Sequence, residues 1–241
     1  KKLGLKEEYI KQFFSLPAVL KGIFGLLRRL FGVEVVEESS RNTWNEQVRF
    51  FRVQEDGKNV ASFFLDAYRR AGQKKRGFWA STIHGYSELY GHSRSGPRLP
   101  AVNIVADLEP IPESEEGKKG LPLLTHREVA QLFRVFGSAL RDLLCRQAEG
   151  LASGSRSLEL DAVDLPMHFL ERWAYDPATI ASMAFHVETG DALPAVAVEA
   201  ISKSRTFHSG MRMLKRVSVA MIDLQLHSDY DPDSEMNVFD L

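Results

Sequence analysis

The residues of this chain that could do chemistry are few and poorly matched in spacing. There are 7 histidines and 1 cysteine in 241 residues. No two histidines stand four apart, so no helix face offers the His pair with which a zinc-binding helix grips one ion. The lone Cys145 excludes an internal disulfide framework or a Cys-rich metal centre, and on an apolar helix face it reads as a small buried hydrophobe. The best ligand patch is Asp161, Asp164, His168 and Glu171, where the four-residue step from Asp164 to His168 puts both on one helix face. Such a patch falls short of the three protein ligands of a catalytic zinc site. His126, His168, His186, His208 and His227 fall on predicted helices or their ends and read as surface or hydrogen-bonded core residues.

Two other groups invite a binding reading. Arg69, Arg70, Lys74, Lys75 and Arg76 could meet phosphate or RNA, but no aromatic residues are interleaved for base stacking, so the run reads as a solvated loop. Gly85, Gly91 and Gly96, with Ser87, Ser93 and Ser95, lack the Gly-Lys-Ser/Thr ending of a phosphate-binding loop. Lys and Arg total 31 against 32 Asp and Glu, a net charge of -1. That balance leaves no electrostatic footprint for nucleic acid or an anionic membrane. The most apolar stretch, 13–31, is broken by Pro17, Lys21, Arg28 and Arg29. A span needs about 20 largely uncharged residues, so the stretch reads as a packed amphipathic helix. The sequence opens on Lys1 with no visible signal peptide, so a processed, trimmed or partial chain is expected.

Helical spacing is predicted over 6–15 and over 17–31, where Val19, Leu20, Ile23, Phe24, Leu27, Leu30 and Phe31 recur and Gly32 marks the stop. Residues 33–37, 48–54 and 59–66 read as strands, with Asp56-Gly57 as a hairpin turn between the last two. Residues 78–83 and 101–107 are two more candidate strands, and 109–120 is a surface loop. From Leu124 the period becomes helical. Thr125 and Glu128 form a capping box, and Leu132, Phe133, Phe136, Leu140, Leu143 and Leu144 follow on one face. Further helices are predicted at 165–175, 177–188 and 194–228. Strands first and helices after is an α+β order.

Several stretches resemble the thimet oligopeptidase family, which includes oligopeptidase A and mitochondrial intermediate peptidase. Trp44, Val48 and then Phe63-Phe64-Leu65-Asp66-Ala67-Tyr68-Arg69-Arg70 resemble the family's strand ending in FYLDLYPR. Leu123 to Val129 is similar to LLTHDEV. Phe136-Gly137-Ser138-Ala139-Leu140 resembles the FGHAL portion of the zinc helix. Val163 to Trp173 parallels VEAPSQMLENW. The matches keep the family's order and cover essentially the whole chain. They imply a zincin-like fold, here a small strand-rich unit plus a mainly helical one: a single truncated domain over 1–241, with helices and sheet in 1–122 and helices in 123–241.

The resemblance also shows what is missing. Where the family has His-Glu-x-x-His, this chain has Arg134 for the first histidine, Val135 for the general base and Ser138 for the second histidine. Asp164 stands in place of the third ligand, a Glu. Guanidinium has no lone pair to give a metal, and valine cannot move a proton. The family's downstream Gly-rich substrate loop and its helical N-terminal half also lie outside these residues. No cofactor, no metal and no catalytic residue are therefore expected. The orphaned Asp164 is expected to pair with Arg134, with Arg141 as the other candidate.

The leading expectation is a pseudoenzyme: an inactive accessory subunit of a larger protein complex. Its partners would be protein subunits, with no nucleic acid and no membrane span. The location would be organellar, mitochondrion before plastid, with the cytoplasm as the other option. The alternative is a non-cleaving peptide-binding module that uses the strand near 101–107 as an open edge. The remote alternative is a zinc-dependent oligopeptidase with relocated chemistry at Asp161, Asp164, His168 and Glu171.

Overall fold

The computed structural model describes residues 6–39, 41–89, 96–110, 120–149, 152–154, 158–231 and 233. The chain divides into two compact units, 1–202 and 203–241. The first has α+β architecture. It carries α1 (Glu7–Lys11), α2 (Leu16–Phe31), β1 (Glu34–Glu37), β2 (Arg49–Glu55), β3 (Lys58–Tyr68), β4 (Trp79–His84), β5 (Ala101–Leu108), α3 (His126–Leu143), α4 (Leu160–Val163), α5 (Leu165–Trp173) and α6 (Pro177–Met183). Helix α7 (Ala195–Ser204) runs across the boundary at Ser202, and α8 (Ser209–Ser228) belongs to the second.

The five strands form one sheet in the order β1-β2-β3-β5-β4. All neighbours are antiparallel except β3 and β5, which run parallel. The β2–β3 hairpin turns on Asp56 and Gly57 at φ 49 and 73, the double left-handed conformation that matches strand twist. One sheet face packs against α2 and α3. Phe51 stacks on Phe63 with centroids 4.9 Å apart, and Phe136 of α3 meets Phe63 edge-on at 5.7 Å. Phe14, Phe133, Leu65 and Ile104 complete this core with no more than trace exposure. Such aromatic and aliphatic burial is the main stabilising term.

Helix α3 starts where its capping box predicts. Thr125 Oγ1 accepts from the Glu128 N–H at 3.2 Å, and Glu128 Oε2 accepts from the Thr125 N–H at 2.8 Å. Its first residue, His126, is enclosed against Phe14 and Tyr175 and donates Nε2–H to the Ala174 carbonyl at 2.8 Å. Burial holds its pKa below the ordinary 6.5 and outweighs that hydrogen bond. Acidification below about pH 6.5 therefore protonates the unfolded chain before the folded one. Stability should fall by up to about 1.4 kcal/mol per pH unit over that window. Urea unfolding at pH 7 and pH 5.5 checks this, with His126→Gln expected to flatten the dependence.

Three predicted helices end differently. The segment 6–15 is helical only to Lys11; beyond it the carbonyls of Gln12, Phe13 and Phe14 accept from the N–H groups of Val187, Phe185 and Leu124. The same pairing stops α6 at Met183, ahead of an isolated bridge between Phe185 and Ala192. The long helix predicted over 194–228 is two, parted by a turn that ends on His208 at φ 54.

Candidate functional site at the α3–α5 helix pair

The positions singled out in the sequence lie on two antiparallel helices in close contact. Gly137 of α3 makes that contact: a Cβ there would collide with the Pro166 carbonyl oxygen and sit 2.8 Å from Met167 Cα. On one side of this crossing, Arg134 NH1 donates to Glu171 Oε2 at 3.1 Å. His168 Nδ1 lies 3.4 Å from the same oxygen. On the other side, Arg141 NH1 donates to the Val163 carbonyl at 2.9 Å. Residues 134, 137 and 141 thus face 171, 166–167 and 163 in turn.

This register corrects the expected partner of Arg134. It pairs with Glu171, not Asp164. By the same register Asp164 stands opposite the turn of α3 that holds Leu140, about 9 Å along the helix axis from Arg134 at 1.5 Å per residue. Arg141 reaches the neighbouring Val163 carbonyl rather than the Asp164 carboxylate. Both Arg134 and Glu171 keep roughly a third of their side-chain surface, so water screens the pair. A double-mutant cycle on Arg134→Met and Glu171→Gln should return a coupling of about 1 kcal/mol or less.

The site does not fit a zinc ion. Arg134 fills the first ligand position and is already held by a carboxylate. Val135 is 3% exposed and belongs to the apolar core. Ser138, one turn along the helix, offers only a hydroxyl. Among the described residues, no group of three or more His, Cys, Asp and Glu could hold a metal ion. Asp161, Asp164, His168 and Glu171 do share the α4–α5 segment, but the carboxylate of Glu171 is engaged by Arg134.

The other candidates also settle. The basic run after β3 is largely neutralised internally: Arg70 and Lys74 pair with Asp66, and Arg69 and Arg76 with Asp107. Strand β5, the proposed open edge, lies inside the sheet between β3 and β4. Among the described residues, the edge strand on that side is β4. Of the Gly85–Pro97 stretch, 90–95 lies outside the described residues; Ser87 and Arg98 exchange backbone hydrogen bonds across it. Cys145 is half-exposed rather than buried, with Sγ 3.5 Å from Ser153 Oγ. Burial pushes its thiol pKa up, but the Ser153 hydroxyl and the N–H groups of Gln147 and Gly154 outweigh this and hold it below the usual value.

Asp142 was not a sequence candidate. It is 5% exposed, and its Oδ2 accepts from Thr82 Oγ1 at 2.8 Å, tying β4 to α3. The signal was present: a carboxylate between Leu140 and Leu143 on a buried helix needs a partner.

A family model described as Peptidase family M3 matches residues 1–241. The chain is similar to organellar oligopeptidase A, chloroplastic/mitochondrial, of Arabidopsis thaliana, with 36% identity over 100% of this chain and 30% of that protein. A second Arabidopsis protein, "Probable cytosolic oligopeptidase A", is 35% identical over 100% of the chain and 34% of its own length. Oligopeptidase A of Escherichia coli (strain K12) is 26% identical over 98% of the chain and 34% of its length. The chain thus spans about a third of the length of these relatives.

Proposed function

Because this chain belongs to peptidase family M3, we propose that it is a peptidase-fold module that has lost the chemistry and serves as an accessory subunit of a larger protein complex. One observation carries the reading: at the zinc-helix positions stand Arg134, Val135 and Ser138, and the arginine is tied to Glu171 rather than left open for a ligand. Three substitutions remove two ligands and the general base together, while the capping box and the Gly137 crossing that build the helix pair remain. The Arabidopsis relatives are named for organelles and for the cytosol. An organellar site, the mitochondrion first, is part of the proposal.

The proposed partners are protein subunits; the internal pairing of the cations after β3 supports this over nucleic acid. The endogenous protein should run on native gels well above the mass of its own denatured polypeptide, with other subunits in fixed ratio. Migration at its own mass, or with copies of itself alone, would remove the accessory role.

A second reading, a peptide-binding module that does not cut, draws on β4. That strand ends the sheet and is anchored to α3 through Thr82 and Asp142, so a peptide could extend the sheet there. Saturable binding of unstructured peptides by the isolated chain, lost in Thr82→Pro, would favour it over the accessory role.

A further inference from the structure

The turn that follows α3 gathers a thiol and a carboxylate around one glycine. Cys145 is half-exposed. Its Sγ lies 3.5 Å from Ser153 Oγ and accepts from the N–H groups of Gln147 and Gly154. Three residues back, Asp142 is buried, and its Oδ2 accepts from Thr82. Its Oδ1 is buried too and has no hydrogen-bond partner. That oxygen is aimed at the same segment: a Cβ on Gly154 would sit 2.8 Å from it. Gly154, at φ 75, thus offers its N–H to Sγ and its Cα side to Oδ1.

The orphan oxygen says what the thiol would take up. A buried acceptor without a donor is rare in folded proteins and calls for a group that supplies one. No donor among the described residues does so. The Thr82 hydroxyl is spent on Oδ2, Arg141 NH2 lies 3.6 Å from Oδ2, and the N–H groups of Gln147 and Gly154 face the sulfur. A group that arrives on Sγ supplies the donor if it is small and carries an O–H. A disulfide or a thioether brings no donor. A single oxygen atom does, because it turns the thiol into a sulfenic acid.

We propose that Cys145 is a peroxide-oxidised thiol whose sulfenic acid is held by Asp142. The thiolate attacks one oxygen of hydrogen peroxide. An S–O bond forms, the O–O bond breaks and hydroxide leaves to solvent; sulfur loses two electrons and the peroxide gains them. The Cys–SOH, protonated from solvent, donates its O–H to Asp142 Oδ1. Burial opposes the thiolate, but the donors around Sγ outweigh it, and the thiolate is the attacking form. The sequence carries 1 cysteine, so no second thiol within it converts the sulfenic acid to a disulfide. The inference is independent of the accessory role, since it concerns one side chain of the first unit.

Dimedone trapping on the purified chain, read by peptide mass mapping, tests it. With a small excess of hydrogen peroxide at neutral pH, the adduct should map to Cys145. Thiol loss should be at least about fivefold faster in the folded chain than in the same chain unfolded in urea. Asp142→Asn keeps an acceptor for Thr82 and replaces the second oxygen with an NH2 group, which cannot accept. It should shorten the life of the sulfenic acid about tenfold, seen as faster conversion to sulfinic acid. No adduct at Cys145, oxidation at the unfolded rate, or equal sulfenic acid lifetimes in Asp142→Asn and the parent chain would overturn the proposal.

Discussion

Asp66→Ala is expected to lower the unfolding free energy by about 3–5 kcal/mol, the usual cost of stripping a buried charge of its counter-ion. Asp66 is 4% exposed at the end of β3. Its carboxylate accepts from Trp44 Nε1 at 3.2 Å, from both terminal nitrogens of Arg70, and from Lys74 Nζ at 3.0 Å. Lys74 is further fixed on the carbonyls of Asp66 and Tyr68 at 2.9 and 2.6 Å, with only 6% of its side chain exposed. Without the carboxylate, an ammonium and a guanidinium remain in a place built to neutralise them. Asp66→Asn keeps an acceptor and should cost less.

The pH dependence has a definite sign. Burial raises the Asp66 pKa, but the hydrogen bonds from Arg70, Lys74 and Trp44 outweigh it and hold it below the ordinary 3.8. The contribution is therefore complete above the ordinary carboxylate range and is lost as pH falls through the lowered value. Guanidinium unfolding of both variants at neutral pH and in acid checks magnitude and sign together.

Gly137→Ala should be comparably severe, about 3 kcal/mol or more. The new methyl would meet the Pro166 carbonyl and Met167 Cα, all backbone, so no rotamer can relieve it. The α3 and α5 helices would have to separate, and with them the Arg134–Glu171 and Arg141–Val163 contacts. Gly25 in α2 provides the control, since nothing lies within 4 Å of its would-be Cβ. Gly25→Ala should stabilise the helix by about 0.5–1 kcal/mol. Chemical denaturation of both variants in parallel separates close packing from helix propensity.

The elements that were legible from sequence are those whose signals are local. Strands β1 to β3 are rich in Val and Phe, the β2–β3 turn is written in Asp56-Gly57, and the start of α3 is written in Thr125 and Glu128. What failed depended on distant partners. The carbonyls of Gln12 to Phe14 pair with the N–H groups of Val187, Phe185 and Leu124, far along the chain, and no property of residues 12–14 announces that. The turn before α8 holds no Gly or Pro, and His208 takes the left-handed conformation itself. At the candidate site, residue types singled out Arg134, Val135, Ser138 and Asp164. The register of α3 on α5, set by Gly137, decided that Arg134 would meet Glu171. Strand order likewise placed β5 inside the sheet and β4 at its edge, which alternation along a strand cannot reveal.

The central claim is that the Arg134, Val135 and Ser138 positions leave no peptidase chemistry. Elemental analysis of the purified chain after incubation with excess zinc and desalting, paired with a quenched-peptide hydrolysis assay, tests it most directly. The expected result is zinc well below one equivalent and no hydrolysis above the buffer rate. One equivalent of zinc, with peptide turnover abolished by Asp164→Ala, would contradict it.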